Sequence, residues 1–409
     1  MRRVAVALSL TALALAGCGA SSGGREASSG PGPSTVPEAS TRPSTAAEPH
    51  VGPAERARGG DRPGVAGATT ASKPPRAVEL TVAASGDLLI HSPVWNAAQA
   101  FAGGDGYDFR PMLRLIRPYI RGADLALCHV ETPLTPGPLH GYPVFNGPPD
   151  LAKAIRWAGW DACDTASNHS LDGAQAGIDA TGRTLDRQGI PHTGSARSAA
   201  AARKIVLLEA EGVKVAFLAY TAVSNGQIAP HRWSVNRAEP RRILADARRA
   251  RRKGADVVIV NVHWGDENVV APSPAQEKLA RTLTASRDVT AVVGQHVHVV
   301  QPIRRVGREL VVFGEGNLLS NQTPACCAPG SQDGIIALLR LRVAGGRARL
   351  TRVDYVPTWV RHPDFTVMPV GSALRRGLSP TAELRASWKR TTGVIGKTRR
   401  YAPWSRSRP

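Results

Sequence analysis

Eleven histidines are spread along this 409-residue chain, and six of them (His91, His129, His169, His263, His296 and His298) lie at, or within about four residues of, the acid, amide or histidine that follows a short apolar run. The runs cover 78–85, 124–128, 161–167, 256–262 and 288–294. They lead into Gly86-Asp87, His129-Val130-Glu131, Asn168-His169, His263-Trp264-Gly265 and Gln295-His296-Val297-His298. Carboxylate, amide and imidazole donors without thiolates suit manganese, iron, zinc, magnesium or a related divalent ion. Each motif has an ordinary explanation when taken alone. Gly-Asp turns a chain, Asn168 caps a helix, and His-x-His is a common surface or core pair. Their joint recurrence at run ends favours one shared site. Asp87, Glu131, Asn168, His263, His296 and His298 outnumber the ligands of one tetrahedral zinc, so two metal ions are expected. A metal pair activates water and stabilises both the attacking and the leaving oxygen in phosphoester cleavage.

The elements that must carry these donors follow from the same runs. Rich in Val, Leu and Ile and lacking polar alternation, they read as strands buried on both faces. Ligands of open α/β sheets bind beyond the carboxyl ends of such strands, and the reading places all five runs at one sheet edge. His296 and His298, two apart at a strand end, are expected to project to one side in extended geometry. Helices are expected at 149–158, 172–188, 243–252 and 275–285, each between apolar runs, which marks a helix-covered α/β fold. Closely spaced apolar runs at 212–221, 309–317, 334–343 and 348–356 imply further strands, some antiparallel, and hence a second sheet. The folded domain is expected over 78–360. The remainder, 361–409, reads as a basic appendage with one helix near 381–390.

The first residues have another purpose. Met1-Arg2-Arg3 and the apolar stretch 4–16 form an export signal over 1–17, too short to span a bilayer. It ends in Leu15-Ala16-Gly17-Cys18, the pattern in which a bacterial lipoprotein cysteine is lipidated; the alternative is an ordinary cleaved signal with a chance cysteine. Residues 18–77, dominated by Gly, Ser, Pro, Ala and Thr, read as a flexible tether. The folded part is therefore expected on the outer face of the cell membrane, exported by the general secretory route and anchored through Cys18. The formal charge of +20 comes mostly from arginine. No helix-turn-helix, zinc finger or aromatic single-strand platform accompanies it, so nucleic acid is not the expected partner. The charge is either compositional bias or an attraction to an anionic envelope polymer or lipid headgroups. Cys128 and Cys163 read either as buried free thiols or as partners in a disulfide, since sequence cannot fix pairing. Cys326-Cys327 is a vicinal pair in a loop.

Six stretches in order carry a resemblance. They are Gly86-Asp87-Leu88-Leu89-Ile90-His91, Glu131-Thr132-Pro133-Leu134-Thr135, Ser167-Asn168-His169-Ser170-Leu171-Asp172, His263-Trp264-Gly265-Asp266-Glu267, Gly294-Gln295-His296-Val297-His298, and Gly316-Asn317. The order resembles the CapA family of capsule biosynthesis proteins, assigned to poly-γ-glutamate synthesis or export. The resemblance runs from about 78 to 322. It implies a four-layer α-β-β-α sandwich of the calcineurin-like metallophosphoesterase type, with Asp87, Glu131, Asn168, His263, His296 and His298 as metal ligands. It places His169 beside the substrate as proton donor or oxyanion stabiliser, Glu267 near the ligands or the substrate, and Asn317 behind the His-x-His loop. His91 is also expected near the site. Departures from the family pattern are His129 in place of an asparagine, Ser167 before Asn168, Gln295 and Val297 beside the two histidines, and Glu315 before Gly316.

Two functions are compatible with these residues. One is a surface-anchored hydrolase with a dinuclear metal centre, acting on a phosphoester or related envelope substrate in capsule or poly-γ-glutamate biosynthesis. The other is a non-catalytic assembly or export component that binds an anionic polymer, alongside other capsule synthesis subunits, with a structural or vestigial metal site.

Overall fold

The computed structural model describes residues 77–404. The expected signal peptide, Cys18 and nearly all of the tether lie outside the described residues. The chain first lays down β1 (Val78–Leu88), β2 (Leu125–Val130), β3 (Ala162–Asp164) and β4 (His192–Thr193), all mutually parallel. It then builds a second sheet from β5 (Val206–Ala210), β6 (Val213–Thr221), β7 (Val257–His263), β8 (Ala291–Gln295), β9 (Ile303–Val306) and β10 (Glu309–Val312). It returns to the first sheet with β11 (Asn317–Leu319), β12 (Asp333–Ala344), β13 (Arg347–Arg361), β14 (Thr366–Pro369) and β15 (Tyr401–Pro403). Parallel neighbours need crossover connections. Helices Leu151–Ala158 and Ala174–Arg187 serve β2–β3 and β3–β4, while Pro240–Arg252 and Pro274–Thr284 serve β6–β7 and β7–β8.

Alternation along each strand sorts the apolar side chains into layers. Leu80, Val82 and Ala84 of β1, Leu125 and Leu127 of β2, and Val215, Phe217, Val257 and Ile259 of the second sheet fill the space between the sheets. The intervening residues face outward. Ala126, Cys128 and Val130 pack with Leu151 and Ile155 of a covering helix. Val258, Val260 and Val262 pack with Ile243, Ala247, Ala280 and Leu283 of the two helices on the other side. The result is a four-layer α-β-β-α sandwich, as expected, and strands with both faces covered need no polar alternation. The helix Pro274–Thr284 begins with a reciprocal cap. Ser273 Oγ accepts from the Gln276 N–H at 3.3 Å, and Gln276 Oε1 accepts from the Ser273 N–H at 2.9 Å.

Three expectations are corrected. The five donor-bearing runs do not share one sheet edge: β1, β2 and β3 belong to one sheet, β7 and β8 to the other. The late runs do not form the second sheet by themselves either. β12 and β13 pair antiparallel with the first sheet, β12 beside β1, while β6 and β10 join the second. Residues 361–404 are no appendage. β14 and β15 both pair with β13, and helix Thr381–Ile395 packs Leu384 and Trp388 with Trp359, Met368 and Val370. Arg390 clamps Asp333 at 2.7 and 2.9 Å from that helix. The apolar content of 361–404 is low enough to pass for a tail in sequence, but Met368, Val370, Leu384 and Trp388 share a small cluster with Trp359, while Phe365 and Val367 join one main core and Ile395 the other. No helix among the described residues is long and apolar enough to cross a membrane.

Candidate metal centre

Strand register builds half of the site. Asp87 of β1 lies opposite Asn317 of β11 on one side and His129 of β2 on the other, and His129 lies opposite Asp164 of β3. In-register neighbours present side chains to the same face, so these four form a row at the carboxyl end of the first sheet. Gly86 permits it: a Cβ there would sit 1.9 Å from the Gly316 carbonyl oxygen, whose hydrogen bond to the Asp87 N–H is 3.0 Å. Glu131 follows β2 directly and is buried. From the facing sheet, His263 ends β7 opposite Gln295, the last residue of β8.

His296 and His298 reach the cluster differently from the extended geometry expected. β8 stops at Gln295, and both histidines are left-handed, with φ of 91° and 56°. Such backbone costs of order 1–3 kcal/mol per residue and persists where the surroundings over-determine it. The ring centroids of His296 and His298 are 5.9 Å apart, those of His263 and His296 4.6 Å, and those of His129 and His263 4.9 Å.

Four overlapping triads each bring three ligand atoms within 4.8 Å of one another. They are Asp87–His129–His263, Glu131–His263–His296, Asp87–Glu131–His298 and Glu267–His296–His298. Asn168, also expected as a ligand, points its Oδ1 at His263 Nε2, 2.9 Å away. His129 thus joins the inner cluster, and Glu267 reaches it from an exposed position. Asn317 Oδ1 lies 3.1 Å from His298 Nδ1, which also lies 3.2 Å from Asp87 Oδ2, so Asn317 orients that ring. His91 is not part of any triad. Its Nδ1 lies 3.1 Å from the Leu89 carbonyl, and burial, partly opposed by that contact, lowers its pKa to about 4.

Whether these residues suit a cation is decided by their unpaired atoms. Asp87 Oδ1, both Glu131 carboxylate oxygens, His129 Nε2, His263 Nδ1 and His296 Nδ1 are all buried without a hydrogen-bond partner. Buried polar atoms are nearly always paired, because each orphan costs free energy. His129 Nε2 is 3.8 Å from Asp87 Oδ1, His263 Nε2 is 3.9 Å from Glu131 Oε1, and His298 Nε2 is 3.7 Å from the same oxygen. These spacings are too long for hydrogen bonds. They lie within the span, at most about 4.0–4.4 Å, that two ligand bonds of about 2.0–2.2 Å to a common ion can bridge. The donor set fits divalent metal.

Protonation follows the surroundings. Burial drives His263 well below the ordinary histidine range and His296 down to about 3, with neighbouring imidazoles adding to both. At His129 and His298 burial pulls the same way but is outweighed, mainly by Asp164 at the first and by Glu131 and Asp87 at the second; both rise to about 9. Burial pushes Glu131 up to about 7, with Asp87 adding to the rise against the pull of His298.

Beside this cluster sits His169, largely buried, with its Nδ1 2.8 Å from Asp172 Oδ2. Phe145 packs edge-on against both His169 and His91, at 4.7 and 5.1 Å between centroids. Sequence reasoning missed several members of the site. Asp164 accepts from His129 Nδ1 at 2.8 Å and from Asn261 Nδ2 at 2.9 Å, and it too ends a strand, a signal overshadowed by the nearby Asn168-His169. Asn225 Oδ1 accepts from Asn168 Nδ2 at 3.1 Å, and Gln227 Nε2 donates to Asp172 Oδ1 at 3.1 Å; both lie in a loop that carries no signal. Glu315, which the sequence showed as a departure from the family pattern, is wholly buried, bonded to Gln295 at 3.3 Å and pushed well above the usual carboxylate range by burial. Cys128 and Cys163, neighbours across β2 and β3, are joined by a disulfide, so they are not free thiols. The bond lies one residue before the His129–Asp164 pair.

Comparison with known proteins adds the lineage. Capsule biosynthesis protein CapA of Bacillus anthracis is 27% identical over 256 residues, covering 60% of this chain and 60% of that protein. PGA biosynthesis protein CapA of Bacillus subtilis (strain 168) is 28% identical over 210 residues, covering 50% of this chain and 53% of that protein. The chain therefore spans between half and two thirds of the length of these relatives. Among solved structures, the calcineurin-like phosphoesterase YfkN from Bacillus subtilis aligns with a TM-score of 0.41 at 14% identity, covering 77% of this chain and 100% of that chain. The family model described as bacterial capsule synthesis protein PGA_cap matches residues 81–322, more than half of the sequence, and the chain belongs to that family.

Proposed function

We propose that this protein is a metal-dependent hydrolase that cleaves a phosphoester or related bond during synthesis of a capsule polymer such as polyglutamate, held on the outer face of the cell membrane through Cys18. The observation that carries the reading is the convergence, between two sheets, of buried carboxylate and imidazole atoms that have no partner within the protein. Asp87, Glu131, Asn168, His129, His263, His296 and His298 would hold two divalent ions, with Glu267 at the rim. Bound there, a metal pair supplies an activated water and stabilisation of developing oxyanion charge. Asp172 accepts the His169 Nδ1 proton and so presents Nε2 to substrate as the atom that gives or takes a proton. Asn225 steadies Asn168, and Phe145 shields the His169 ring from water.

The deciding experiment is metal analysis of the purified full chain combined with hydrolysis of an aryl phosphate and a phosphodiester in added manganese. Wild type should carry about two divalent ions, and His263→Ala should lose most of them. His169→Ala should keep the metal while losing about 10²–10⁴-fold in rate. A protein without bound metal, whose melting temperature is unmoved by chelation, would overturn the metal centre. Bound metal with wild type and His169→Ala equally inactive would leave the non-catalytic, polymer-binding reading standing. For location, Cys18→Ser should release the protein from the membrane fraction; continued association would count against the anchor.

A further inference from the structure

Outside the ligand cluster, four arginines surround a cavity of about 290 Å³. Arg203 follows the short helix Ala199–Ala202, Arg232 lies beside Trp233 in the loop after β6, and Arg242 and Arg249 project from helix Pro240–Arg252. Asp246, from that same helix, is the acidic residue of the lining, and it is already committed. Its Oδ2 accepts from the Tyr220 hydroxyl at 2.9 Å, its Oδ1 lies 2.9 Å from Arg249 Nη1, and Arg242 Nε approaches to 3.9 Å. Arg203 and Arg232, both exposed, have no ion-pair partner among the described residues, and Arg249 Nε is buried with no hydrogen-bond partner. Four arginines thus share this lining with one carboxylate. Such an excess of positive charge favours an anion in the space they border.

We propose that this cavity is a binding site for a multiply charged oxyanion ligand, a short chain bearing two or more carboxylate or phosphate groups. Arginine suits such groups because its planar fork donates two parallel hydrogen bonds to one carboxylate or phosphate. Trp233, stacked on His231 at 4.4 Å, gives the cavity a flat wall against which the uncharged part of such a chain packs. The loop that supplies Arg232 and Trp233 also supplies Asn225 to Asn168 and Gln227 to Asp172. One segment therefore borders both the anion cavity and the metal ligands. The assignment does not depend on hydrolysis at the metal centre.

The test is isothermal titration of the full chain with two probes, tripolyphosphate and hexaglutamate, at low and high salt. Wild type should bind at least one of them, more weakly as salt rises, and the probe that binds identifies the oxyanion. Arg203→Gln/Arg232→Gln, altering two exposed side chains, should weaken binding at least about tenfold, as expected for lost charge-assisted contacts. Arg232→Lys, which keeps the charge but not the fork, should fall between. Metal content and melting temperature of the variants should match wild type, which separates failure here from failure of the metal centre. Binding of neither probe, or equal binding by the double variant, would overturn the site.

Discussion

Asp164 offers a sharp test because it touches the proposed metal site only through another residue. Its Oδ1 accepts from His129 Nδ1 at 2.8 Å, fixing the proton on that nitrogen and leaving His129 Nε2 facing Asp87 Oδ1. Its Oδ2 accepts from Asn261 Nδ2 at 2.9 Å, and both Asp164 and His129 are essentially inaccessible to solvent. Asp164→Asn keeps the shape and one acceptor. The Asn261 Oδ1, which has no partner in the native arrangement, can turn to accept from the new amide, so the hydrogen bonds survive and the charge is lost. Replacing a carboxylate behind a metal-binding histidine typically weakens metal affinity about 10–100-fold, or about 1.4–2.7 kcal/mol. Asp164→Ala is harsher. It strands the two buried donors His129 Nδ1 and Asn261 Nδ2, at about 1–3 kcal/mol each, and should lower stability even without metal. Chelator-competition titrations with manganese or zinc would give the affinities, and urea unfolding under chelation would give the stabilities. Metal affinity within twofold of wild type for Asp164→Asn would refute the argument that this carboxylate sets the state of His129.

Other outcomes follow from the fold. Removing the disulfide in Cys128→Ala/Cys163→Ala frees a 35-residue span, which in the chain-entropy model lowers stability by about 3–4 kcal/mol. Urea unfolding with and without reductant checks it, and identical midpoints for wild type and variant would deny the bond. Gly294→Ala would place a Cβ 1.9 Å from the Phe313 carbonyl oxygen and 2.2 Å from Trp264 Nε1. It should cost at least about 2 kcal/mol and displace His296, seen as a lowered melting temperature and reduced metal content together. In acid, Asp364 matters: burial opposes its charge, but Arg361 and Thr366 overrule burial and hold the carboxyl below its ordinary value. Its stabilising contribution is therefore present above about pH 4 and lost as pH falls through the lower folded value. Arg361→Gln should shrink the drop in melting temperature between about pH 5 and about pH 3; an unchanged drop would remove that pair from the acid limb.

Local sequence set the strands and the residues they carry. Runs of Val, Ile and Leu without polar alternation can only be stable with both faces covered, so 78–85 and 256–262 were legible as inner strands. A polar or imidazole residue directly after such a run must lie at a sheet's end. That is why Asp87, Glu131, His263, His296 and His298 were legible as a set: each has an ordinary explanation alone, and only their recurrence at run ends marks a shared site. Which sheet each run joins came from the folded arrangement, because pairing partners are chosen by long-range packing and leave no local trace. The donors therefore meet between two sheets instead of along one edge. The same limit hid Asp164 and Asn225, whose roles exist only through contacts with His129 and Asn168, and it hid the place of residues 361–404, whose few apolar side chains gain meaning only against Trp359 and the two cores they join. The left-handed turns at His296 and His298 belong to this class too. Backbone strain is tolerated where surrounding contacts enforce it, and those contacts come from residues far away in the chain.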